Sequence, residues 1–137
     1  MRILALDHGT VRIGVALSDE LKIIATPLEY IPAAPWEGVL ARLRLLLQEK
    51  EVELIVVGMP RNMNGTYGQA AEQVKTFINA LKAELPTPIR TWDERLTSAQ
   101  ANRLLVEADV RRGQRKEKVD KMAAAILLQS YLDAVAQ

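Results

Sequence analysis

Residues 2–18, RILALDHGTVRIGVALS, decide the fold. Residues 2–7 (RILALD) and 13–18 (IGVALS) read as two apolar strands separated by a turn around Gly9. A third strand is expected within residues 22–31, interrupted by Pro27. Three strands this close in sequence, with short connections, predict an antiparallel meander.

Beyond the meander the pattern changes period. Pro35 opens a helix in which Trp36, Val39, Leu40, Leu43, Leu46 and Leu47 recur at helical spacing. Residues 53–58 (ELIVVG) form a short apolar run stopped by Gly58 and Pro60, the pattern of a buried parallel strand. A loop rich in Gly and Asn follows, then a second helix with Tyr67, Ala70, Val74, Phe77, Ile78 and Leu81 on one face. Pro86 and Pro88 end it, and residues 89–93 (IRTWD) read as a fifth strand. Thr97 and Gln100 form a capping box for a third helix, with Leu104 and Leu105 on its buried side. A last helix is expected from about Val119, with Met122, Ala123, Ile126, Leu127 and Ser130 on one stripe. The order predicts one α/β domain over residues 1–137. Its mixed five-stranded sheet holds three antiparallel hairpin strands and two parallel β–α units, with helices on both faces.

Composition excludes several classes. The 137 residues are 49% hydrophobic and 26% charged, which argues against wholesale disorder. Without cysteine there is neither a disulfide framework nor a thiolate metal site. The N-terminus lacks signal-peptide character and no run is long enough to span a membrane, so a cytoplasmic protein is expected. The net charge is only +1, but residues 111–121 (RRGQRKEKVDK) hold six basic and two acidic residues. The rest then holds 12 basic and 15 acidic residues, a net of −3. Such a basic segment suits a phosphate backbone; its blander reading is a solvated loop beside a helix. With 4% aromatics the chain lacks an evident base-stacking platform, so recognition is expected to rest on shape and phosphates.

Ligands of open α/β sheets sit outside the carboxyl ends of the parallel strands. The strand at 2–7 ends in Asp7, and the strand at 89–93 ends beside Asp93 and Glu94. Asp120 falls in the first turn of the last helix, beside small residues that permit close approach to the sheet. Carboxylates brought together repel unless a cation joins them, and oxygen-only ligation suits Mg²⁺ or Mn²⁺. Taken singly, each acid has an ordinary reading: a turn former, a helix-dipole partner, or an ion pair with Arg95. Arg12 and Arg95 are candidates for holding phosphates, and Arg61 offers a contact in the loop. Gly9 and Gly14 serve backbone needs, and His8 is set aside as incidental.

Four blocks carry a resemblance: LDHGTVRIGVALSD (6–19), VVGMPRNMNGTYGQAA (56–71), WDERLTSAQA (92–101) and KVDKMAAAILLQSYL (118–132). In order and over nearly the whole chain, they resemble the YqgF family, known also as the pre-16S rRNA nuclease or Holliday-junction-resolvase family. The resemblance implies an RNase H-like fold and a metal-dependent endonuclease in which Asp7, Glu94 and Asp120 are catalytic and hold the metal. It implies structured nucleic acid as substrate, foremost the 5′ end of the small-subunit rRNA precursor, with branched DNA as the alternative. The substrate-binding candidates are then Arg12, Arg61, Asn64, Arg95, Arg115, Lys116 and Lys118. Asn64 stands where many members carry Asp, and Tyr67 where small or acidic residues are common. A monomer and a homodimer both remain open. Two readings from other classes compete. One is a nucleotide-binding ATPase or sugar kinase, because Asp7, His8, Gly9 and Thr10 also resemble an actin-like phosphate loop. The other is a non-catalytic RNA-binding assembly factor.

Overall fold

The computed structural model describes residues 1–60, 68–93 and 116–136, with residues 116–121 described as helical backbone only. Strands β1 (Arg2–His8), β2 (Arg12–Ser18) and β3 (Ala25–Pro32) form the meander. Then come helix α1 (Trp36–Glu49), strand β4 (Val52–Met59), helix α2 (Gln69–Glu84), strand β5 (Ile89–Asp93) and helix α3 (Lys116–Val135). The sheet order is β3-β2-β1-β4-β5. The meander pairs are antiparallel, whereas β1–β4 and β4–β5 are parallel. The expected mixed sheet is therefore present. The helix expected around Thr97, Gln100, Leu104 and Leu105 lies outside the described residues.

Alternation along each strand splits the core in two. Leu4, Leu6, Ile13, Val15, Ile55 and Val57 pack with Leu43 and Leu46 of α1 and Val74, Phe77 and Leu81 of α2. Ile3, Ala5, Ala16, Ala25 and Val56 pack on the other face with Ala124, Ala125, Leu128 and Leu132 of α3. Five alanines of the second core stand beside larger residues such as Leu127, Leu128 and Tyr131, and α3 lies over β1, β2 and β3. Burying each large aliphatic side chain stabilises the fold by roughly 1.5–3 kcal/mol, which makes the first core the larger source of stability.

Two expectations are corrected. On α2 the buried residue is Ala71, while Ala70 is exposed, because the helix begins at Gln69 and its inward face is Ala71, Val74, Phe77, Ile78 and Leu81. The third strand lies where it is expected and starts at Ala25, because the Asp19 carboxylate accepts hydrogen bonds from the N–H groups of Ile23 (2.8 Å) and Ile24 (3.0 Å) and holds the preceding stretch in a turn. The last helix starts at Lys116 and is not amphipathic in a single stripe: residues 124–132 are all buried. Helices apolar all round belong to interiors.

That burial includes a polar group. Gln129 is 1% exposed. Its Oε1 accepts from the Ala25 N–H (2.9 Å), while its Nε2 donates to the Ile23 carbonyl and to the Asp133 carboxylate, each at 2.9 Å. One amide thus joins α3 to the entry of β3. Gln129→Leu keeps the volume but strands the buried Ala25 N–H. It should lower unfolding free energy by roughly 1–3 kcal/mol in urea denaturation, whereas an exposed substitution such as Ala134→Ser should stay within about 0.5 kcal/mol.

Candidate active site

Strand parity decides where the first candidate carboxylate goes. Ile3 and Ala5 face α3, and Leu4 and Leu6 face α1 and α2. Asp7, two residues beyond Ala5, belongs to the α3 face, and His8 belongs to the opposite one. Across the sheet Asp7 is paired with Gly14, and Gly14 with Tyr30. On its other side the parallel register of Leu6 with Val57 continues to Gly58, which is paired with Trp92 of β5. One row therefore reads Tyr30, Gly14, Asp7, Gly58, Trp92. The half-buried carboxylate has glycine as its direct partner on both neighbouring strands.

His8 packs on Phe77 of α2, ring centroids 4.6 Å apart. Burial lowers its pKa below the ordinary 6.5. A cleft of about 340 Å³ opens beside it at the carboxyl ends of β1 and β4, lined by Asp7, His8, Thr10 and Gly58 with Gln73 and Val74 of α2. It reaches Asp7 from the α2 side, behind the face to which the Asp7 carboxylate belongs. Gly9 closes the turn at its rim. A Cβ there would stand 2.5 Å from the Arg12 carbonyl oxygen, so the turn requires glycine for close backbone approach.

The other candidates are placed unequally. Asp120 lies in the opening turns of α3, the helix packed on the face of Asp7. Glu94 lies outside the described residues; it follows Asp93, the last residue of β5. Asp93 is paired with Met59, a residue of the α1/α2 core, so its parity is opposite to that of Asp7. Arg12 opens β2 on the α3 face, its guanidinium carbon 5.6 Å from the Tyr30 ring centroid. Arg61, Asn64, Tyr67, Arg95 and Arg115 lie outside the described residues, and Lys116 and Lys118 stand on the helical backbone of α3. The sequence reading set His8 aside and passed over Tyr30, because contacts between distant segments cannot be read from local pattern.

The end of β5 is fastened to α3. Trp92 and Tyr131 meet edge to face at 5.2 Å. The Trp92 indole N–H donates to Ser130 Oγ (3.2 Å) and Arg90 donates to the Tyr131 hydroxyl (2.7 Å). The strand leading to Glu94 and the helix carrying Asp120 are therefore directly tied.

Among the described residues no three His, Cys, Asp or Glu side chains gather as a metal site. The donor that is described fits a hard divalent cation: an oxygen-donating carboxylate at a strand end with glycine as its partner on either side.

A mixed sheet of this order, with a last helix over the face of a β1 carboxylate, defines an RNase H-like domain of the resolvase type. The fold matches the Thermus thermophilus RuvC in complex with a Holliday junction substrate at TM-score 0.59 and 15% identity, covering 98% of this chain and 96% of that one. It matches the fowlpox virus resolvase bound to Holliday junction DNA at TM-score 0.60 and 11% identity, over the full length of both. A family model described as RuvX, Holliday junction resolvase, matches residues 1–134, and the chain belongs to that family. A relative from Desulforamulus reducens is 50% identical over 137 residues, 100% of each chain. One from Symbiobacterium thermophilum is 52% identical over 134 residues, 98% of this chain and 93% of its own. Both carry the name "Putative pre-16S rRNA nuclease".

Two outcomes check the local physics. Gly9→Ala should cost roughly 1–3 kcal/mol in thermal or urea unfolding, because the obstacle is backbone rather than a flexible side chain. For His8 the sign follows from burial. The unfolded chain takes up its proton near 6.5 and the folded chain only at lower pH. Stability therefore falls as pH drops through 6.5 and levels off below the folded value. In denaturation at stepped pH, His8→Phe should remove that slope.

Proposed function

We propose that this chain is a metal-dependent endonuclease, a single nuclease domain over residues 1–137. It cleaves phosphodiester bonds of structured nucleic acid and processes the 5′ end of the pre-16S rRNA in the cytoplasm. The observation that carries the reading is the placement of Asp7, between Gly14 and Gly58 on its row, on the face covered by the helix that carries Asp120. The relatives named as pre-16S rRNA nucleases, about half identical over their full length, support the substrate. That no helix among the described residues is long and apolar enough to cross a membrane is compatible with that location.

In this reading Asp7, Glu94 and Asp120 are the catalytic carboxylates and would hold Mg²⁺ or Mn²⁺. When bound, such an ion activates water and neutralises charge on the scissile phosphate. The opposite parity of Asp93 supports Glu94 as the acid contributed beyond β5. The chain's own residues bind and orient the strand. Arg12 reaches a phosphate from the face of Asp7, and Arg61, Asn64, Arg95, Arg115, Lys116 and Lys118 contact the backbone. A charge-assisted Arg–phosphate contact fixes position without reading sequence.

A second reading, resolution of four-way DNA junctions, follows from the description of the family. One experiment separates the two. Wild type and Asp7→Asn are given a precursor 16S 5′-leader RNA and a four-way DNA junction in Mg²⁺ or Mn²⁺. Wild type should cut the RNA. Asp7→Asn should cut it slower by more than the roughly 10- to 100-fold that loss of a residue behind a metal ligand costs. Junction cutting alone would move the assignment to recombination. RNA binding without any cleavage would mark a non-catalytic assembly factor.

A further inference from the structure

Tyr30 stands on the row of Asp7. Its cross-strand partner is Gly14, whose other partner is Asp7, so all three positions share the α3 face of the sheet. Antiparallel partners lie about 4.5–5.5 Å apart, which puts the Cα of Tyr30 about 10 Å from that of Asp7. Gly14, the residue between them, contributes no side chain. Arg12, two residues before Gly14, shares that face and brings its guanidinium to 5.6 Å from the Tyr30 ring centroid.

The ring is also set apart from the other aromatics. Trp36 and Phe77 pack on each other in the first core, and Trp92 and Tyr131 clamp β5 to α3. Tyr30 is 39% exposed, and among the described residues no other aromatic side chain is exposed. It sits on an edge strand whose entry at Ala25 is covered by α3. An exposed ring braced by a cation has the two features a nucleotide meets: a π-surface for the base and a positive charge for the phosphate beside it.

We propose that Tyr30, braced by Arg12, is a stacking platform for an unpaired base next to the phosphate that Asp7 addresses. The inference rests on the nuclease reading for that phosphate and adds a specificity determinant to it. A base can stack there only when it is not paired, so the platform selects substrates that are single-stranded or frayed beside the cut. It amends the expectation that recognition rests on shape and phosphates alone. Stacking tolerates any base, so the selection is for strandedness rather than sequence.

The test uses the full chain with metal withheld, so that binding is read without cleavage. The probes are a short single-stranded RNA containing 2-aminopurine and the same RNA annealed to its complement. Wild type should quench the 2-aminopurine on binding. Tyr30→Leu, which keeps an apolar strand residue but removes the ring, should lose the quenching and bind the single strand about 5- to 100-fold more weakly. Tyr30→Phe should behave as wild type, and neither variant should alter duplex affinity. Tyr30→Leu binding and quenching like wild type would overturn the platform. So would Tyr30→Phe failing along with it, or no single-strand binding by wild type. A separate cleavage assay with metal keeps the two ideas apart. A wild type that stacks the probe but cuts nothing removes the nuclease reading alone, and Asp7-dependent cutting with a silent Tyr30 removes the platform alone.

Discussion

The register of β1 is the constraint on which the rest depends. Side chains alternate along a strand, so a slip of one residue would send Leu4 and Leu6 to the α3 face and exchange Asp7 for His8. Two unlike cores forbid that slip. The face toward α1 and α2 is filled by large aliphatics, and the face toward α3 by Ala5, Ala16 and Ala25 against Ala124 and Ala125. A leucine in place of Ala5 would overpack the second, and an alanine in place of Leu4 or Leu6 leaves a void in the first. The carboxylate is aimed by packing that lies well below it in the strand.

Pairing then distributes the other parts. Parallel β1–β4 and β4–β5 contacts bring three strand ends to one edge of the sheet. Gly14 and Gly58 stand on either side of Asp7. The Trp92–Tyr131 pair and the Trp92–Ser130 hydrogen bond hold β5, an edge strand paired on one side only, against α3. Aromatic pairs of this kind contribute about 0.5–1.5 kcal/mol beyond their burial. That is modest for the fold as a whole and considerable for the end of one five-residue strand. The geometry of the proposed site therefore depends on contacts made by residues that belong to neither the metal nor the substrate.

Much of this was legible in the sequence, for physical reasons. Period-2 runs and the helical spacing of Val39, Leu40, Leu43 and Leu46 give the elements. Short connections give the antiparallel meander, and the β-branched run at 53–58 gives a buried parallel strand. Asp7 could be named from its place at a strand end. What could not be read was anything set by pairing between distant segments. The glycines beside Asp7, the opposite parity of Asp93, the position of Tyr30 and the amide of Gln129 all arise from register. The single stripe expected on the last helix failed because periodicity marks one buried face, and a helix buried all round has no contrast to detect. Ala70 and Ala71 were exchanged because adjacent alanines carry almost no signal of their own.

The order of the elements along the chain carries a consequence for biosynthesis. The helix that covers Ala5, Ala16, Ala25 and Val56 follows every described strand, so a ribosome delivers it after the five-stranded sheet. Until then the nascent sheet has one dry face and one wet one, with the Ala25 amide still waiting for Gln129. Closure of that face and arrival of Asp120 are the same event. A chain stalled or truncated before α3 is therefore both incompletely folded and without one of its three proposed carboxylates. Partial products of synthesis should be unable to cut nucleic acid rather than loosely active.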